Sequence, residues 1–175
     1  MEKLKLQFNY GSIAGFSAFL FFLLYVNCGL NPLGNISWLG AWIPILFIYL
    51  CIKKYRDEEL EGFISYKESL SIGIVVSFVY ASLFGMMLYA YGTFINADFL
   101  ELHKNEALDG VAALEKYISS DKIDFMVDEI EKMTISSSAA ADFQSKFIGG
   151  VIVSLVASVF LKLKPSVFQE KINDE

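Results

Sequence analysis

Three stretches of the chain carry no Asp, Glu, Lys, Arg or His: residues 6–52, 69–97 and 147–161. A helix on the surface of a water-soluble protein returns a polar face every turn. Runs this long therefore place hydrocarbon against at least one side of the chain. The first run is too long for one crossing, which takes about 20 residues. It needs a break, and Asn27-Cys28-Gly29-Leu30-Asn31-Pro32-Leu33-Gly34-Asn35 supplies the Gly, Pro and Asn of a turn. The pattern predicts an all-α fold: a polytopic membrane protein forming one membrane domain over residues 1–175. Its four transmembrane helices fall at about 8–27, 36–52, 66–95 and 142–163. Pro44 is expected to kink the second, with neighbouring helices compensating for the lost backbone bond. The third is longer than a bilayer and should tilt or project from it. Pro165 is expected to stop the fourth.

Lys3 and Lys5 could begin a signal peptide, but the apolar stretch that follows is too long and no A-x-A site ends it. Val26-Asn27-Cys28 does not match a lipoprotein cleavage site. The first span is read as uncleaved.

The segment at 98–141, between the third and fourth spans, predicts two short helices. Val111, Leu114 and Ile118 form one apolar stripe, ending at the N-cap cluster Ser119-Ser120-Asp121. Ile123, Met126, Val127, Ile130 and Met133 form the second. Ser136–Ser138 reads as a hinge into the fourth span.

Charge then orients the chain. Hydrophobic residues make up 55% of it and charged residues only 19%, below the roughly 25% of soluble domains. Four spans place nine basic residues on one side: Lys3, Lys5, Lys53, Lys54, Arg56, Lys67, Lys162, Lys164 and Lys171. Five lie on the other: Lys104, Lys116, Lys122, Lys132 and Lys146. The positive-inside rule puts both termini and the 53–67 loop in the cytoplasm. The acidic segment goes outside, with eleven acids from Asp98 to Asp142 against four lysines. Trp38, Trp42, Tyr89 and Tyr91 then fall near the outer interface, and Tyr49, Tyr55 and Tyr66 near the inner one.

Small residues mark the packing faces. Ser69, Gly73, Ser77, Ala81 and Gly85 recur every four residues, a stripe of about 24 Å along the third helix. Gly11 and Gly15 mark the first helix, and Gly150, Ser154 and Ser158 the fourth. In lipid, close backbone approach and van der Waals contact hold helices together. These ten positions are the predicted helix-packing interface, within one bundle or against a partner.

Several stretches resemble a known family. Tyr55-Arg56-Asp57, Gly62-Phe63-Ile64-Ser65-Tyr66 and Gly73 form one pattern. Tyr10-Gly11 with Gly15, and Phe94-Ile95-Asn96-Ala97-Asp98-Phe99, form two more. Together they resemble the bacterial membrane family catalogued as domain of unknown function 4199, in which relatives often carry Pro at the position of Ala97. The resemblance implies a four-helix inner-membrane protein of Gram-negative bacteria. It implies no activity and transfers no functional residue.

No chemistry stands out. Ion-coupled transporters and pumps place ionisable groups inside the membrane despite the cost, and the middles of these four spans have none. Asn9, Ser12 and Asn27 are polar exceptions near helix ends, suited to interhelical hydrogen bonds. Arg56, the only arginine, could grip a lipid phosphate, but Asp57, Glu58, Glu59 and Glu61 interleave with the local basic residues, and a topology anchor is the simpler reading. His103, the only histidine, reads as a surface residue. Cys28 and Cys51 fall at opposite membrane faces, beyond disulfide reach. No catalytic, cofactor-binding or metal site is predicted, and no basic aromatic face suits nucleic acid.

The partners expected are therefore the lipid bilayer and either a second copy or another membrane protein. The leading functional reading is a non-enzymatic accessory or scaffold subunit of the inner membrane. It associates through the small-residue faces, with the acidic segment as a second docking surface or a cap on the bundle. The alternative is a small lipid or hydrophobic-solute carrier acting as a dimer.

Overall fold

Helix α1, Glu2–Asn27, has two apolar faces with different neighbours. Ala14, Ala18 and Phe22, one turn apart, are buried against the rest of the chain. Leu4, Phe8, Phe16, Leu20 and Leu24 point away and are each at least 50% exposed. In water such a stripe would be an aggregation hazard; in hydrocarbon it is the surface a spanning helix needs. The computed structural model describes residues 2–163. Met1, Lys164, Pro165, Lys171 and Glu175, which bear on the predicted topology and on the stop of the last helix, lie outside the described residues.

A turn with Gly29 at φ 69° ends α1. A short 3-10 segment, Asn35–Gly40, then leads into α2, Trp42–Glu59. Pro44 is thus the third residue of α2 rather than an interior one. A first-turn backbone N–H has no partner within its helix, so Pro44 removes nothing and the predicted kink loses its cause. The helix also runs seven residues past the predicted end at 52, through Lys53 to Glu59. Tyr55 and Leu60 pack against the Ile48, Ile52 and Ile72 cluster and hold that extension down.

The chain reverses through Glu61 (φ 52°) and Gly62 (φ 91°), a conformation that glycine adopts without strain. Ile64 N–H then donates to the Leu163 carbonyl at 3.0 Å, and Leu163 N–H to the Ile64 carbonyl at 3.1 Å. This pair fastens the α2–α3 loop to the end of the last helix. Ser65 caps α3, Tyr66–Phe94, by accepting from Glu68 N–H at 3.2 Å. Lys3 pairs with Glu68 at 3.2 Å, joining the start of α1 to the start of α3.

Helix α3 is the hub. It packs on α1, α2 and the last helix, α6, Ile135–Leu161. Half of its most apolar window is buried, against 33% for α1 and 22% each for α2 and α6. Pairs 73/154, 77/150 and 92/135 keep one antiparallel register along the whole α3–α6 seam. Four helices of this bundle are long and apolar enough to cross a membrane, the architecture of a multi-pass membrane protein.

Between α3 and α6 lies a helical hairpin, α4 (Asp98–Ala112) and α5 (Ser120–Glu131). Val111, Ile123 and Ile130 are its own small core, with Leu108, Met126 and Met133 around them. Helix α4 starts where Asn96 Oδ1 accepts from Asp98 N–H at 2.7 Å, and it ends before Leu114, which is left 38% exposed. Phe99 docks the hairpin onto the bundle, meeting Phe22 edge-on at 5.3 Å between ring centroids. Tyr91 joins that aromatic cluster and is buried there rather than standing at an interface.

Candidate functional site

The ten small residues meet the chain's own helices. A Cβ on Gly11 would lie 2.7 Å from Val79 Cβ, and one on Gly15 3.1 Å from Leu83 Cβ, so α1 touches α3 almost backbone to side chain. On the other flank the contact is reciprocal. Ser154 Cβ sits 2.6 Å from where a Gly73 Cβ would be, and Ser77 Cβ 2.6 Å from where a Gly150 Cβ would be. Each serine thus occupies the hole left by the facing glycine. Ser77 Oγ donates to the Gly73 carbonyl and Ser154 Oγ to the Gly150 carbonyl, both at 2.7 Å, and the two hydroxyls also lie within hydrogen-bond distance of each other across the seam, at 3.4 Å. Ser158 Oγ donates likewise to the Ser154 carbonyl at 2.6 Å. Ser69 and Ala81 are fully buried, and Gly85 lies against Ala139 and Phe143. Asn27 also bonds within its own helix, to the Leu23 carbonyl at 2.7 Å, not across helices.

Helix α6 begins at Ile135, where a hinge was expected at Ser136–Ser138. Thr134 and Ser137 form a reciprocal cap, with Thr134 N–H donating to Ser137 Oγ at 2.9 Å and Ser137 N–H to Thr134 Oγ1 at 3.1 Å. The two extra turns add 135–141 ahead of the expected start at 142, so Asp142 stands in the helix interior with Lys146 one turn on. Lys146 Nζ bonds Asp142 Oδ1 at 2.7 Å and stands 4.2 Å over the Phe84 ring, so the ammonium is held on two sides. Asp142 Oδ2 is buried and has no hydrogen-bond partner among the described residues, and neither has the buried Ser138 Oγ.

Both residues line an open groove of about 440 Å³ at the α4–α5 end of the bundle, with these oxygens buried beneath its surface. Its floor is the α6 face carrying Ser138, Asp142 and Ser145; its walls include His103, Glu129, Lys132 and Leu33. Contrary to the surface role expected for it, His103 is partly buried. Its Nδ1 lies 3.2 Å from Asn31 Nδ2, and the same amide donates to Glu106 Oε2. Asn31 Oδ1 meanwhile accepts from Leu33 N–H at 3.0 Å, so one buried side chain ties the α1–α2 loop to α4. With Asn31 as donor, Nδ1 of His103 must be the unprotonated acceptor. Burial lowers the imidazole pKa, and the nearby Glu106 carboxylate partly opposes this.

Arg56 bonds the neighbouring Asp57 at 2.7 Å. Both cysteines are free thiols, Cys28 exposed and Cys51 buried. Among the described residues no three His, Cys, Asp or Glu side chains are grouped to hold a metal.

The family model described as protein of unknown function (DUF4199) matches residues 9–163. The chain belongs to that family. No curated protein and no solved structure matches it. Several motif positions quoted for the DUF4199 resemblance have structural tasks here. Gly11, Gly15 and Gly73 are close-approach points, Gly62 takes the positive φ, Ile64 pairs with Leu163, and Ser65 caps α3. The groove residues His103, Lys132, Ser138 and Asp142 fall outside those motifs.

Proposed function

We propose that this chain is a non-enzymatic accessory or scaffold subunit of the bacterial inner membrane, with both ends cytoplasmic and the α4–α5 hairpin facing outward. The ten small residues meet helices of the same chain, so the hairpin is the docking surface in this reading. One observation carries it. Phe125 is 64% exposed on α5, and three of its four one-turn neighbours, Asp121, Asp128 and Glu129, are acids, with Lys122 the fourth. Tyr117 at the hairpin turn is 83% exposed. An aromatic anchor inside an acidic frame suits a partner whose apolar patch is rimmed by Lys or Arg. Two copies of this face would repel one another, so the partner is a different membrane protein. Anionic lipid would be repelled as well, and surface-lying helices carry Lys rather than Asp on their polar side.

A photo-crosslinking side chain at position 125, activated in intact membranes, tests this. One dominant heterologous adduct is expected, which Tyr117→Ser weakens while the chain stays folded. Recovery of the chain alone from several mild detergents, with no adduct or only its own dimer, overturns it. The carrier alternative draws on the groove at the head of α6, which opens beside the lipid-facing side of the bundle. Proteoliposomes that move no labelled lipid would remove it.

A further inference from the structure

We propose that the groove at the head of α6 binds the headgroup of a zwitterionic lipid bearing a primary ammonium, with one acyl chain lying down the outer face of α6. This goes beyond the scaffold reading, since the site can be filled whether or not a protein docks on α5.

Position comes first. The uncharged run of α6 starts at Phe147, and about 20 residues back from its end at Leu161 reaches Asp142. The groove floor therefore lies where hydrocarbon gives way to headgroups. Chemistry narrows the ligand. The groove holds Asp142, Glu129 and Lys132, and Asp142 is already paired with Lys146. Lys132 is itself bonded to Asp128, so one carboxylate is left in excess, which disfavours a net anion and suits an ammonium group. Asp142 Oδ2 and Ser138 Oγ are buried oxygens without a partner among the described residues, and an N–H donor is what a carboxylate oxygen lacks. A primary ammonium brings three such donors; a quaternary one brings none.

The acyl path is also present. Ser138, Asp142, Ser145 and Gly149 follow one another at helical spacing on a single face of α6. A Cβ on Gly149 would meet nothing within 4 Å, so the stripe continues as an open shelf. Below it, Ile152 and Val156 are 56% and 53% exposed. A volume of about 440 Å³ falls within the range of small-molecule sites, roughly 300–1,000 Å³.

The test uses the full chain in nanodiscs containing equal phosphatidylethanolamine, phosphatidylcholine and phosphatidylglycerol, with lipid retained by the protein counted by native mass spectrometry. Phosphatidylethanolamine should be retained about tenfold over either competitor, the ratio one charge-assisted hydrogen bond supplies. Asp142→Asn should bring it down to the phosphatidylcholine level. Gly149→Trp, on an open shelf that no core residue shares, should cut retention of all tailed lipid at the site and leave the bundle folded. It keeps the proposal testable if Asp142→Asn fails to fold. Free phosphoethanolamine should compete only weakly; competition as strong as the intact lipid would mean a soluble zwitterion is the ligand and overturn the lipid assignment. Equal retention of the three lipids, or an ethanolamine preference unchanged in both variants, overturns the site itself.

Discussion

Along the α3–α6 seam, specificity comes from residues that have almost no side chain. In the α4–α5 hairpin it comes from the side chains themselves. The seam sits in hydrocarbon, where lipid is as apolar as leucine, so burial drives little and contact distance decides. Gly73 facing Ser154 and Ser77 facing Gly150 bring two backbones together, and each hydroxyl is satisfied one turn back in its own helix. The hairpin lies outside the spans, where Val111, Ile123 and Ile130 gain by leaving water. Its attachment is polar at Asn31 and aromatic at Phe99. A substitution at the seam should therefore act through size, and one at the hairpin through polarity.

The sharpest test of the size rule is Gly73→Leu. Its Cβ alone would lie 2.6 Å from Ser154 Cβ, with Ile48 Cγ2 3.3 Å away on the other side, so the helices must part. Overpacking usually costs about 1–3 kcal/mol; a wedge between two helix backbones should reach the top of that range or exceed it. Unfolding in mixed detergent micelles measures it. The informative companion is the exchange Gly73→Ser with Ser154→Gly, which moves the side chain across the seam and keeps the volume. Each single change should destabilise, and the pair should recover at least about 1 kcal/mol through direct coupling. Additive losses would mean that the reciprocal fit is incidental.

Ile123→Asp probes the other region. It puts a carboxylate into a cluster with no cation, at a cost of about 2–3 kcal/mol. The hairpin should melt while the four spans persist, seen as new proteolysis between 112 and 134 with bundle helicity retained. Collapse of the whole chain would show that the hairpin is part of the bundle's stability, not an attachment to it.

The two regions also differed in how much of them could be read from the chain. The spans were legible because hydrocarbon tolerates no charge over 20 or so residues. The start of α6 was not, because Thr134 is capped by Ser137 where a capping box normally shows Glu or Gln. That hid the turns carrying Ser138, and it left Asp142 at the expected helix start, where its four-residue spacing to Lys146 was a signal not used. His103 was misread because its partner Asn31 is 72 positions away, and nothing local marks such a bond. Polar contacts of long sequence separation leave no period behind them, and the groove is made of those.

A smaller effect follows from that same bond. Burial lowers the His103 pKa below its ordinary value, so the docked state binds fewer protons than the undocked one between the two values. Docking of α4 is then fully present above about pH 6.5 and weakens as pH falls through that window, since a protonated Nδ1 would face the Asn31 amide donor to donor. Glu106 favours the charged imidazole and tempers the loss. Protection over 98–112, with each exchange rate divided by the intrinsic rate at its pH, should fall between pH 7.5 and 5.5, with protection in α3 and α6 unchanged. His103→Gln should remove that pH dependence; an unchanged profile in the variant would assign it to the surrounding carboxylates.

The smallest effect should come from the residue that looks most disruptive in the sequence. A proline inside a spanning helix removes a backbone bond and crowds the carbonyl four residues back, so Pro44→Ala would be expected to straighten and stabilise α2. But Pro44 lies in the first turn, after the 3-10 segment Asn35–Gly40. Its nitrogen has no carbonyl to serve, and its ring holds the φ that a helix start requires. Pro44→Ala should change stability by less than about 0.5 kcal/mol in mixed micelles, and the tilt of α2 measured by oriented spectroscopy should not move. A large change in either would mean that α2 begins further back, at Asn35 or before, with Pro44 inside it as a true kink. The short 3-10 turn would then be a strained stretch of one continuous span.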